Sequence, residues 1–160
     1  MTATIRVAGV NFDHFHMGDL LRMASTTEGV EIVGIADEFP ARMEAVVKAL
    51  SLSPGIVFDD YRTCVEKTQP DLVILCPSTA GHAEWVEKLA QFRVHLLMEK
   101  PFAAQIGRRF SLLECVPVGD YLIELRIAIR YRFSLEAAIR FASRAMPSSM
   151  RSNAGLNSLG

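Results

Sequence analysis

Three groups of residues have types and spacings suited to chemistry. The tripeptide Glu99-Lys100-Pro101 follows the apolar run Val94-His95-Leu96-Leu97-Met98, which places a charged pair at the end of a buried strand. In an open α/β sheet, ligands bind outside the carboxyl ends of the strands, so Lys100 would point into the binding crevice, with Glu99 beside it and Pro101 stopping the strand. An ammonium there can orient a reacting oxygen and stabilise negative charge. The competing reading is a surface ion pair before a proline turn. A second group, Gly9-Val10-Asn11-Phe12-Asp13-His14, closes the first apolar run where a phosphate-binding turn belongs. Only Gly9 fits the glycine pattern, and Asn11 and His14 take the next two glycine places. Asn tolerates left-handed backbone; His14 fits less well. The third group, Asp13-His14-Phe15-His16, carries an H-x-H pair of the kind that binds zinc in barrel hydrolases. Further ligands would have to come from later strands. Only His82 and His95 remain, and His95 lies within a strand-like run, so no metal site is expected.

The elements that would position these groups follow from the hydrophobic pattern. Short runs rich in Val, Ile and Leu at residues 4–10, 31–36, 56–58, 71–76 and 94–98 read as strands buried on both faces. Helical spacing between them is seen at 41–50, through Met43, Val46, Val47 and Leu50, and at 80–91, through Ala83, Val86 or Trp85, Leu89 and Ala90. Asp59 or Asp60 would cap a short helix through Val65. Alternating strands and helices predict right-handed crossovers and a parallel sheet. The expected fold is therefore α/β, a doubly wound Rossmann-like layer.

Two strand ends then gain meaning. Asp37 closes the second strand roughly 20 residues past the turn, where a carboxylate can accept hydrogen bonds from an adenosine ribose, or simply cap the next helix. Arg42 follows and would stack on adenine or meet a 2'-phosphate, unless it is a solvated helix arginine. The fourth strand ends in Cys76-Pro77-Ser78-Thr79-Ala80-Gly81-His82, small polar groups at a helix start, where Ser78 or Thr79 could equally act as a cap.

The order G-x-N-x-x-H, A-D-E-x-x-x-R, C-P-S-T-x-x-H and M-E-K-P resembles the amino-terminal half of the glucose-fructose oxidoreductase, inositol dehydrogenase and MocA family over about residues 4 to 104. Its most specific parts are Glu99-Lys100-Pro101 after the fifth strand and Pro77 with His82 after the fourth. The resemblance implies a nicotinamide dinucleotide held by Gly9, Asn11, His14, Asp37, Arg42, Cys76, Pro77, Ser78, Thr79, His82, Glu99, Lys100 and Pro101. It also implies catalysis by Lys100 facing nicotinamide and a sugar or polyol hydroxyl. Asp37 tilts the expectation toward NAD, because a carboxylate repels a 2'-phosphate, while Arg42 keeps NADP open. Family members carry a second α/β domain that supplies the substrate pocket. That domain is expected to be largely absent from 160 residues.

The expected organisation is a dinucleotide-binding domain over 1–120, a last strand and the start of a second domain over 121–145, and a loose tail over 146–160. Residues 108–160 contain eight arginines, no lysine and four acidic residues, whereas 1–107 are acidic overall. Residues 125–133 alternate as a strand would, and Arg132 falls near the arginine that leads into the family's second domain. A truncated or divergent product and a change of reading frame both account for this shift. The chain would then have little turnover alone, and a non-catalytic nucleotide-binding remnant or regulatory module is the alternative. The net charge of -1 gives no basic field for nucleic acid or anionic membrane, and no run is long enough to span a bilayer. Three unpatterned cysteines and the lack of a secretory segment point to the cytoplasm. An exposed sheet edge leaves homo-oligomerisation open.

Overall fold

The computed structural model describes residues 4–98 and 123–125. Its strands are β1 (Ile5–Val10), β2 (Val30–Ala36), β3 (Val57–Phe58), β4 (Leu72–Leu75), β5 (His95–Met98) and β6 (Ile123–Leu125). They form one sheet of order β3-β2-β1-β4-β5-β6 in which every neighbouring pair is parallel. This is the doubly wound order, with its reversal between β1 and β4.

Alternation along each strand explains why both faces are covered. Val7 and Ile74 point into one core with Met17, Leu20, Leu21 and Ala24 of helix α1 (His16–Ser25), while Ala8, Val73 and Leu75 point into a second. That second core is closed by Cys64 and Val65 of α3 (Tyr61–Thr68) and by Ala83, Val86 and Leu89 of α4 (His82–Ala90). Helix α2 (Glu44–Leu50) leans Val46, Val47 and Leu50 against the first core. Two-sided burial is what the unbroken apolar runs required.

The structure refines several sequence expectations. Helix α1 was not among the expected elements, although its buried residues fall at helical spacing. The helix expected over 41–50 is split: Pro40 opens a 3-10 turn, Pro40–Arg42, and α2 begins only at Glu44. Likewise α4 starts after a 3-10 turn at Thr79–Gly81, with Val86 buried and Trp85 set edge-on to Tyr61. Asp60 rather than Asp59 caps α3. Its carboxylate accepts from the Thr63 amide at 2.8 Å and the Thr63 hydroxyl at 2.7 Å, which holds its pKa below the usual carboxylate value. The helix ends at Gln69 in left-handed backbone just before Pro70. The last strand pairs with β5 from Ile123 onward, and residues 126–133 lie outside the described residues.

Between Val7 and Ala8 the β1–β2 register slips: Ile32 faces Val7 and Gly34 faces Ala8, so Val33 is the extra residue of a bulge. Gly34 lies against Cys64, where burial pushes the thiol up to about 12. A thiol so far from ionisation is a poor nucleophile. Cys64 is expected to resist iodoacetamide at neutral pH in the folded chain and to react once denaturant is added. Mass spectrometry showing native labelling at the rate of a free thiol would contradict this packing.

Candidate active site at the strand switch point

The carboxyl ends of β1, β2 and β4 converge, and a short turn joins β1 to α1. Asn11 starts that turn in left-handed backbone, φ 64°, which a non-glycine residue adopts most readily when it is Asn or Asp. Its amide donates to the Ala36 carbonyl at 2.9 Å, and its Oδ1 accepts from the Asp13 amide at 2.9 Å. The asparagine thus supplies the bend that a glycine would give. Gly9 does a different job. It lies within β1, and a Cβ there would come within 3.0 Å of Leu21 Cδ1 and 3.1 Å of Met17 Sδ, so it lets α1 pack close to the sheet.

Asp37 sits at the end of β2 with its side chain only 1% exposed. Its Oδ2 accepts from the Phe12 amide at 2.6 Å, and its Oδ1 accepts from the Phe39 amide at 2.8 Å. The helix-cap alternative fails, because this second bond forms a local turn ahead of Pro40 and caps no α-helix. Arg42 Nη1 reaches Asp13 Oδ1 at 2.6 Å and Asp37 Oδ1 at 3.5 Å, and the guanidinium lies over the Phe39 ring at 4.4 Å. Phe39 itself is half exposed. The corner therefore holds one arginine between two carboxylates, with a flat aromatic surface beside it.

Asp13 also links two loops, since its Oδ2 accepts from the Ser78 amide at 3.3 Å. Cys76 is buried, and its carbonyl accepts from the His14 amide at 3.0 Å. Pro77 is buried, whereas Ser78 and Thr79 are exposed. Ser78, which precedes the 3-10 turn, makes no side-chain cap bond, and Gly81, which precedes α4, has no side chain to make one. His82 is 1% exposed, and its Nε2 donates to the Pro77 carbonyl at 3.1 Å. Its ring therefore holds the loop from inside. His14 stacks on Phe15 at 4.6 Å and meets His16 edge-on at 4.3 Å.

Among the described residues no group of three His, Cys, Asp or Glu side chains is placed to hold a metal ion. His95 is buried in β5, and burial pushes its imidazole below the usual histidine value. Glu99, Lys100 and Pro101 lie outside the described residues; β5, which leads into them, runs beside β4 with Met98 opposite Leu75. The structure thus brings together the turn, Asp37, Arg42 and the 76–82 loop.

Sequence reading missed Asp13 and Phe39 as members of this corner. Asp13 drew attention only through its histidine neighbours, and its pairing with Arg42 bridges elements that no local periodicity connects. An exposed aromatic three residues before an arginine was the available signal for Phe39.

Strand order and turn together define a dinucleotide-binding type of domain, with the ligand crevice at the β1–β4 reversal. Residues 4–118 match the model of the oxidoreductase family with an NAD-binding Rossmann fold, GFO_IDH_MocA, and the chain belongs to that family. The zinc-hydrolase reading of the H-x-H pair is set aside by this membership. Among curated relatives, the chain is 28% identical over 120 residues to glycosyl hydrolase family 109 protein 1 of Akkermansia muciniphila, covering 69% of this chain and 24% of that protein. It is 23% identical over 135 residues to inositol 2-dehydrogenase of Salmonella typhimurium, covering 82% of this chain and 38% of the relative. Among solved structures, apo scyllo-inositol dehydrogenase from Lactobacillus casei superposes with a TM-score of 0.69 at 17% identity, over 90% of this chain and 42% of the other. An oxidoreductase from Agrobacterium radiobacter in complex with NAD+, L-tartaric acid and magnesium gives 0.68 at 18% identity, over 78% and 35%. The chain therefore spans well under half the length of these relatives. No helix among the described residues is long and apolar enough to cross a membrane.

Proposed function

We propose that the chain binds a nicotinamide dinucleotide across the carboxyl ends of β1 and β4 and belongs to an enzyme that oxidises or reduces a sugar, polyol or related hydroxyl compound. The observation that carries this reading is the left-handed Asn11 turn at the reversal of a β3-β2-β1-β4-β5-β6 sheet. Asn11 and the turn after it suit the phosphates, and Phe39 with Arg42 suits the adenine, because a planar aromatic surface and a guanidinium both stack on a base. A bound nicotinamide would supply hydride exchange with a carbinol carbon. Lys100, carried here by family resemblance, would orient the substrate oxygen and stabilise its charge as the hydroxyl proton leaves. Glu99 would hold that ammonium, and Pro101 would fix the turn.

NAD is favoured over NADP. A 2'-phosphate entering this corner would meet Asp13, whose carboxylate is the more exposed of the two, and Arg42 is already shared between Asp13 and the buried Asp37. Calorimetric titration of the 160-residue chain is expected to show NAD+ binding more tightly than NADP+. Failure of both to bind at millimolar concentration would overturn the cofactor reading. The reverse preference would overturn the charge argument alone.

The 160 residues span 35–42% of the solved relatives' length, and a second reading takes them as a nucleotide-binding unit that does not turn over substrate by itself. Little oxidation of myo-inositol is therefore expected from this chain by itself, followed as NADH absorbance. Sustained turnover would contradict that expectation.

A further inference from the structure

We infer that Asp37 is a positioning residue that holds the phosphate turn through the Phe12 amide, and is not a ligand of the adenosine ribose. The inference rests on the dinucleotide reading above. Position alone suggests the ribose, since a carboxylate at the end of β2 is well placed for it. Burial and hydrogen bonding point elsewhere. With its side chain 1% exposed, the carboxylate offers almost no surface to a donor arriving from the crevice. Both oxygens are engaged from within: Oδ2 by the Phe12 amide at 2.6 Å, Oδ1 by the Phe39 amide at 2.8 Å and by Arg42 at 3.5 Å.

A buried carboxylate needs such partners, and breaking the set leaves an amide or a charge without one. The Phe12 bond follows directly on the Asn11 amide bond to the Ala36 carbonyl, so β1 stays tied to β2 for two residues beyond the end of the strand. Those two bonds fix the first half of the turn. Phe12 is itself buried in the first core, so the amide is held from one side and the ring from the other. Ligand affinity scales with the fraction of molecules whose turn is already in the binding conformation, and Asp37 raises that fraction.

The substitution Asp37→Asn keeps size and one acceptor oxygen but cannot accept from both amides. Calorimetry on the full chain would compare NAD+ with its analogue lacking both hydroxyls on the adenosine ribose. A positioning role predicts that D37N weakens both ligands alike, by about tenfold to a hundredfold, as expected for loss of a hydrogen bond to a charged group. A penalty present with NAD+ and absent with the dideoxy analogue would overturn the inference, because it would place the carboxylate on the ribose. Amide exchange in the ligand-free wild type supplies a readout that does not depend on cofactor or on the variant folding. The Phe12 amide is expected to be protected, and in D37N to exchange at least about tenfold faster. Unprotected exchange at Phe12 in the wild type would equally overturn the inference. A wild type that binds no dinucleotide yet protects Phe12 would refute the cofactor reading and leave the strut in place.

Discussion

Valine in place of Asn11 is expected to lower stability by about 2–4 kcal/mol and to abolish dinucleotide binding, while glycine at the same position leaves both near wild type. Two costs combine in the valine variant. Left-handed backbone disfavours most L-residues by about 1–2 kcal/mol, and β-branching makes φ 64° harder still. Valine also removes the Oδ1 that accepts from the Asp13 amide, a bond worth about 0.5–1.5 kcal/mol. Glycine loses the same bond but adopts the backbone freely, so the terms nearly cancel. Urea denaturation measures the stability difference and calorimetry the affinity. A stable, NAD-binding N11V protein would show that the turn tolerates a different backbone path.

Gly34→Val is expected to cost about 2–3 kcal/mol, a large part of the roughly 5–15 kcal/mol that holds a domain together. A Cβ at residue 34 would stand 2.7 Å from Cys64 Sγ and 3.1 Å from Thr68 Cγ2, closer than packed atoms allow. Valine's strand preference over glycine is worth only about 1 kcal/mol, too little to offset this overlap. Yielding is difficult on the helix side. Thr68 is buried and anchored by its hydroxyl, which donates to the Cys64 carbonyl at 2.7 Å. The double variant Gly34→Val with Cys64→Ala removes the sulfur and is expected to recover part of the loss, a non-additivity that denaturation midpoints would reveal. Strict additivity would mean that α3 and β2 do not meet at this point.

The sheet was largely legible because β1, β2, β4 and β5 are covered on both sides, so their apolar runs stand out from the polar connections. Helix α1 was harder to see. Its start, His14-Phe15-His16, mixes aromatic and titratable residues, and Phe15 is exposed although apolar. Pro40 carried the signal for the later start of α2, because a proline opens the 3-10 turn that precedes it. The candidate site was legible by position: Asn11, Asp37, Arg42 and the 76–82 loop do gather at one end of the sheet. Their individual contacts were not, because hydrogen bonds such as Phe12 to Asp37 or Ser78 to Asp13 join residues 25 and 65 apart and leave no periodic trace. Gly9 illustrates the same limit. Its place as the motif's first glycine suggested the bend of the turn, whereas the left-handed residue is Asn11 and the surroundings of Gly9 show close helix packing.

The central claim is that a nicotinamide dinucleotide binds this chain at the β1–β4 reversal. Titration of the labelled 160-residue chain with NAD+, followed by the amide resonances of each residue, tests it most directly. Saturable shifts concentrated at residues 11–15, 37–42 and 76–81 are the expected result. Unmoved resonances in those three segments at millimolar NAD+, or saturable shifts confined to the opposite edge of the sheet, would contradict it.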